Sequence, residues 1–399
     1  MKKVSGFLAV ICFLTLIFSG MFVTVAKPKE EKSFYENRML DAMPEYSEQA
    51  VADGTYFTDL ESYLADHAAF RYTLLKFRTY FNEYIIRRPV VNNVIVRDDI
   101  LLIYLDYCFF DKEELKEETD SFVSELSKLQ NLVEDYGGNY YYVGVPCQYA
   151  IFEDKYPAYL ENRAEYTDEV LADFNTAADK YGVNFIDVGQ CEELMEGRDI
   201  YSSKVDNHYS LQGAYASYKY IVDNINKDTG GELKYPSDDE ITFTELKNNY
   251  LGSSSRKLFG ITKITETLFT ADFSENIPFT REDDGAASYS QVYYPPENEY
   301  KDVMYDLYMC GDRAETIIKT NRPQLPDVLI YGDSFTNALE CLAYYSFDEM
   351  RSIDLRHYDK MSLVDYIEEY KPDYVICIRD YEALIKTDGN GLPFGEISE

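Results

Sequence analysis

The 399-residue sequence contains no tryptophan and only three histidines, His67, His208 and His357, although it carries 39 tyrosines and 23 phenylalanines. So small a supply of imidazole confines any histidine-dependent chemistry to one of three positions. None of the three stands at ligand spacing from the cysteines, and Cys12, Cys108, Cys147, Cys191, Cys310, Cys341 and Cys377 include no CxxC pair. Neither a zinc site nor a disulfide framework is therefore expected. Cys147 and Cys377 fall in apolar runs typical of buried free thiols. Positive charge is also short: 38 Lys and Arg face 72 Asp and Glu, a formal net charge of −34. That balance excludes nucleic acid, whose phosphates would find no net counter-charge, and suits neutral or cationic partners. It also keeps an extracellular protein soluble. Missing tryptophan beside plentiful tyrosine and phenylalanine fits a carbohydrate-facing surface, although drift in composition would leave the same mark.

What is present describes a folded chain long enough for a large core, with 46% hydrophobic and 28% charged residues. Lys2 and Lys3 precede an uncharged run from Val4 to Ala26, about the 20 residues that a bilayer core requires. The run reads as an uncleaved anchor whose basic start stays inside and whose following chain lies outside. Thr24-Val25-Ala26 also satisfies a cleavage site, and both versions put the functional domain outside the cytoplasm. The expected divisions are the anchor at 1–26, a linker at 27–56, and one domain at 57–399 with an insertion at about 228–321.

Within that domain, residues 57–85 show helical spacing of apolar positions, with His67 placed as a structural histidine beside Asp66. Residues 90–104 hold two strand-like runs around Arg97-Asp98-Asp99, a hairpin pattern. A helix at 111–136 leads into a strand at 140–145, and a helix at 168–181 into a strand at 184–188. Strands at 352–355 and 374–378 flank a helix at 362–370. Alternation of this kind predicts a parallel sheet with helices on its faces. Between 227 and 321 the pattern weakens to polar chain with strand-like fragments at 257–265 and 288–294, expected to lie over the edge of the sheet as an insertion or long loops.

The chain is organised around Pro326 to Asn337, PDVLIYGDSFTN. Val328 to Tyr331 have the length and residue types of a buried strand, and Gly332 breaks it just before Asp333 and Ser334. Asn337, Ala338, Leu339, Leu342 and Tyr345 recur at helical spacing, so Ser334 opens a helix whose free N–H groups and positive dipole end can stabilise an oxyanion. Asp333 is expected to fix the turn, and Asn337 to act as a cap or surface residue. A serine hydroxyl needs a base to become a nucleophile. Two candidates exist. Asp206 and His208 stand two apart in VDNHYSLQGA, a spacing that lets a carboxylate orient an imidazole. Asp354 and His357 in IDLRHY offer a D-x-x-H alternative one helix after the serine. Spacing alone leaves the choice open.

The order of Glu36-Asn37-Arg38, Asp66 with Arg71, the segment Val145 to Pro157, VDNHYSLQGA and YGDSF resembles the DHHW family, related to alginate O-acetyltransferase proteins with an SGNH-hydrolase-like domain. The resemblance covers most of the chain after the apolar run. It implies an α/β fold, an SGNH-hydrolase-like three-layer α/β/α arrangement with a central mostly parallel sheet. It also implies Ser334 as nucleophile, His208 as general base and Asp206 as orienting carboxylate. The implied reaction is serine-dependent O-acyl transfer, acetyl above all, to a cell-surface or exported polysaccharide, with no cofactor or metal and with a membrane-bound O-acyltransferase as donor. A carbohydrate esterase and a non-catalytic glycan-binding or assembly protein are the alternatives. Asn207 stands where the family has its first histidine and Tyr209 where it has tryptophan. Tyr250 to Lys257, YLGSSSRK, is similar to a glycine-containing segment of the family without an assigned role.

Overall fold

A computed structural model of the chain describes residues 2–106, 109–161 and 163–391. Cys108 and the end of the expected domain at 392–399 lie outside the described residues. The chain divides into two units, Met1–Ile95 with Ser255–Lys263, and Val96–Ser254 with Ile264–Glu399.

The first unit opens with helix α1 (Lys2–Ala26), within which Gly6–Ala26 has mean hydropathy 2.5 and is long and apolar enough to cross a membrane. The helical spacing at 57–85 is realised as two helices, α2 (Thr55–Asp66) and α3 (Arg71–Tyr80), the latter continued by a π-helical turn at Phe81–Ile86. Phe70, at φ 60°, makes the break between them. His67 is buried, with Nε2 3.0 Å from the Asp41 carbonyl oxygen and its ring against Tyr63. Arg38 pairs its two terminal guanidinium nitrogens with Asp66, and Arg71 does so with Glu36. Arg38 thereby pulls the Asp66 carboxyl down to about 2. Glu36 and Arg38, separate from Asp66 and Arg71 in sequence, are thus two halves of one ionic cluster.

The second unit is built on an eight-stranded sheet. In chain order its strands are β1 (Asn139–Val145), β2 (Phe185–Asp187), β3 (Thr280–Asp283), β4 (Ala286–Ala287), β5 (Glu315–Lys319), β6 (Val328–Gly332), β7 (Glu349–Ile353) and β8 (Tyr374–Asp380), arranged β4-β3-β5-β7-β6-β8-β1-β2. The run β7-β6-β8-β1-β2 is parallel, and β5, β3 and β4 extend it antiparallel at one edge. Helices α4 (Lys112–Asp135), α5 (Ala164–Tyr181) and α8 (Leu363–Tyr370) cover one face, packing on Tyr140, Tyr142, Leu329, Tyr331, Val375 and Cys377. Helices α6 (Leu211–Thr229) and α7 (Phe335–Ala343) pack together, with α7 against β6 and β8. Because both faces are covered, the central strands read as continuous apolar runs rather than alternating ones. Tyr140 and Tyr331 share a hydroxyl–hydroxyl bond of 2.8 Å in the buried layer.

The region from 228 to 321 differs from its expected pattern. Neither 257–265 nor 288–294 is a strand; an antiparallel pair forms instead from Ile241–Glu245 and Phe269–Phe273. The same region supplies β3 and β4 to the main sheet. Arg281, on β3, is fully buried because Gln291 and Met309 carbonyls and the Asp283 carboxylate satisfy its guanidinium.

Candidate active site

Strand β6 delivers Ser334 to the carboxyl edge of the sheet, where open parallel sheets leave a crevice. Asp333 fixes the turn: its Oδ1 accepts from the Phe335 N–H at 3.0 Å, and its Oδ2 lies 3.3 Å from Arg379 Nη1 at the end of β8. Ser334 is the N-terminal flanking residue of α7 and is half-buried.

The histidine arrives on the loop before α6. That loop is closed by a bridge between Ser202 and Tyr209 and by the Ser203 N–H to the His208 carbonyl. Asp206 Oδ1 accepts from the Asn207 N–H at 2.7 Å and the His208 N–H at 3.3 Å, which folds the carboxylate back toward its own loop. The same oxygen lies 2.7 Å from His208 Nδ1, and His208 Nε2 lies 2.8 Å from Ser334 Oγ. An Nδ1–H donated to the carboxylate leaves Nε2 as the acceptor for the serine O–H. Burial opposes ionisation of Asp206, yet His208 and the Ser253 N–H hold its carboxyl well below the usual carboxylate range.

The rival pair is arranged differently. His357 is exposed, and Asp354 is held by Arg356 Nε at 2.9 Å. Asp312, Asp354 and His357 bring ligand atoms within 4.8 Å of one another, but Arg356 Nη2 already bridges the two carboxylates. Asn337 is not a surface residue: it is buried on α7 and donates to Asp312 Oδ1 at 2.9 Å.

Two contributors were not singled out from sequence. In YLGSSSRK, the Ser253 N–H donates to Asp206 Oδ2 at 2.6 Å and Ser253 Oγ donates to Asn207 Oδ1 at 2.9 Å. A Cβ on Gly252 would stand 2.4 Å from the Val205 carbonyl oxygen, so the close approach of the two loops requires glycine there. The sequence signal was this glycine-containing segment itself. Tyr305 stacks on His208 with ring centroids 3.8 Å apart and planes at 9°, fixing the imidazole plane; no sequence signal marked it. The two departures at 207 and 209 are also placed. Asn207 ties its loop to Ser253, and Tyr209 donates its hydroxyl to the Phe335 carbonyl at the head of α7.

Glu266 lies behind this loop. Burial lifts its carboxyl to about 7 despite bonds from Ser203 Oγ at 2.6 Å and the Lys204 N–H at 3.0 Å. The folded state therefore keeps a proton that the unfolded chain releases near pH ~4.3, and stability falls as pH rises across that window. Glu266→Gln, which does not titrate, is expected to gain on the wild type by up to about 3 kcal/mol between roughly pH 4 and pH 8. Urea unfolding of both proteins at the two pH values checks this, and parallel stability curves would contradict it.

A serine at the carboxyl end of a central parallel strand, met by an imidazole that is backed by a buried carboxylate, makes a serine-centred site on an α/β fold. The same fold is found in Bacillus cereus PatB1 with a sulfonyl adduct, at 19% identity and TM-score 0.60 over 76% of this chain and 98% of that one. It is also found in a DHHW family protein from Eubacterium siraeum, at 16% identity and TM-score 0.57 over 78% of this chain and 98% of that one. No family model matches the sequence, and no curated relative matches it.

Proposed function

We propose that the protein transfers an acyl group, acetyl above all, through an acyl-Ser334 intermediate to a hydroxyl of a polysaccharide outside the cytoplasm. The observation that carries this is the continuous relay of 2.8 Å from Ser334 Oγ to His208 Nε2 and 2.7 Å from His208 Nδ1 to Asp206. His208 takes the serine proton as Ser334 Oγ forms its bond to the donor's carbonyl carbon, and returns it to the leaving alcohol as the donor's ester bond breaks. On this reading the Ser334 N–H, at the head of α7, receives the developing oxyanion. In the second half, the acceptor hydroxyl gives its proton to His208 and displaces Ser334, which regains a proton. Water in place of the sugar hydroxyl would make the same site an esterase, so exclusion of water by the acceptor decides the product. The donor on this reading is supplied by a membrane-bound O-acyltransferase, with α1 holding the domain at the same surface.

The test is covalent capture. Brief exposure to an activated acetyl ester is expected to add one acetyl group to the peptide carrying Ser334 in the wild type and in His357→Ala, and none in His208→Ala. Addition of an acceptor polysaccharide should then discharge the label to the glycan. Label on another residue, or equal labelling in His208→Ala, would sink the acyl-serine reading; discharge to water alone would make the protein an esterase.

A further inference from the structure

Helix α3 and the π-helical turn after it carry their apolar stripe outward. Phe70, Leu74, Phe77 and Phe81 recur at i, i+4, i+7 and i+11 and are 66%, 61%, 64% and 42% exposed, and Tyr84 and Ile85 continue the row. Thr79 alone is fully buried in these two elements, with Tyr72 and Leu75 half-buried on the same side. An ordinary surface helix turns its apolar stripe to the core, and a contiguous exposed apolar row of this kind marks an interaction surface.

Charge and position identify the partner. Between residues 70 and 88 the sequence places Arg71, Lys76, Arg78, Arg87 and Arg88 against the single acid Glu83, in a chain whose formal charge is −34. This is a cationic, amphipathic segment within an acidic protein. It also begins where the membrane-length apolar helix ends: the Ala69 N–H donates to Thr24 Oγ1 at 2.9 Å, and the Tyr72 hydroxyl donates to Glu30 at 2.9 Å. Long Arg and Lys side chains at the edges of an apolar row can reach phosphate headgroups while the row enters the acyl boundary. A protein partner would account for the apolar row, but continuity with α1 and the local reversal of charge favour lipid.

We propose that residues 70–88 lie in the plane of an anionic membrane surface, with Phe70, Leu74, Phe77 and Phe81 in the acyl boundary and Lys76, Arg78, Arg87 and Arg88 at the headgroups. The surface is a second membrane contact beyond α1, and it does not depend on acyl transfer. Its immersed side chains would sit about 5–10 Å deep.

Because the chain lacks tryptophan, a single introduced one reports its own surroundings. Full-length Phe77→Trp in vesicles of phosphatidylcholine and phosphatidylglycerol is expected to emit at shorter wavelength than in detergent-free solution controls of free indole. It should lose most of its emission to lipids brominated near the carbonyl end of the acyl chain and resist aqueous iodide. Tyr300→Trp, at a position 90% exposed in the other unit, should respond the opposite way. Leu74→Trp is the second reporter should Phe77→Trp fail to fold. Lys76→Glu with Arg88→Glu added to the reporter is expected to restore iodide access. A tryptophan at 74 or 77 that iodide quenches and brominated lipid does not would overturn the proposal, leaving the row to solvent or to a protein partner. Unchanged quenching in the charge-reversed variant would overturn the role of the headgroups.

Discussion

Ser334→Ala is expected to lower kcat for acetyl-ester turnover by about 10³ to 10⁶, and His208→Ala by a similar factor, because the relay acts as a unit. On the proposed mechanism the hydroxyl would form the covalent bond, and His208 Nε2, at 2.8 Å, would be the base that makes it nucleophilic. Removing either leaves the other without a task, so the double variant should be no slower than the slower single one. Asp206→Asn belongs to the same unit but acts through geometry. An amide nitrogen facing Nδ1 would favour the wrong tautomer and put a hydrogen on Nε2, with a loss of about 10⁴ on the precedent of serine proteases. Substrate contacts are untouched in all of these, so KM should change little. His357→Ala should keep wild-type kcat, because Arg356 already occupies the carboxylate beside it. Steady-state kinetics on the single and double variants, with thermal unfolding to confirm the fold, checks the set. A Ser334→Ala protein retaining a tenth of wild-type kcat would end the acyl-serine account.

The parts of this arrangement differ in how far the sequence reveals them, and the reasons are physical. Strands β1, β6 and β8 were visible because a parallel strand covered on both faces must be apolar at every position. Strand β3 was not: it contains the run Arg281-Glu282-Asp283 and hides its buried arginine among carbonyls supplied from elsewhere in the chain. Ser334 was visible because a glycine-broken strand followed by a helical period marks a carboxyl-edge turn. The choice of His208 over His357 was not visible in spacing, since both have an aspartate nearby and only the fold brings one to the serine. Ser253 contributes a backbone N–H, which every non-proline residue possesses, so its identity carries no signal. Tyr305 contributes a ring face, one of 39 tyrosines, and only its approach to His208 distinguishes it. Asn337 was misplaced because a polar residue near a helix start ordinarily caps or faces water, whereas here Asp312 supplies a buried partner.

Gly332→Ala is expected to destabilise the second unit by about 3 kcal/mol and to slow the folded fraction as well. Gly332 and Ile378 are paired in register between β6 and β8, and a Cβ at 332 would stand 2.2 Å from the Ile378 carbonyl oxygen and 3.0 Å from Thr336 Cγ2. The obstructing atom is main chain in the middle of a buried sheet, so it cannot swing aside as a side chain would. Relief requires the two strands to separate at their carboxyl ends, where β6 leads through Asp333 into Ser334 and β8 ends on Asp380, next to the Arg379 that pairs with Asp333. That displacement would change the Ser334–His208 distance, because His208 is carried by a separate loop tied to Asp206 and Ser253. A shift of about 1 Å in a reacting group can cost about 100-fold in rate. Chemical denaturation should therefore show a lowered midpoint, and active-site titration of the folded protein a lowered kcat. A variant with wild-type midpoint and turnover would mean that the two strands have room the close approach denies, and that the serine's position does not depend on their closure.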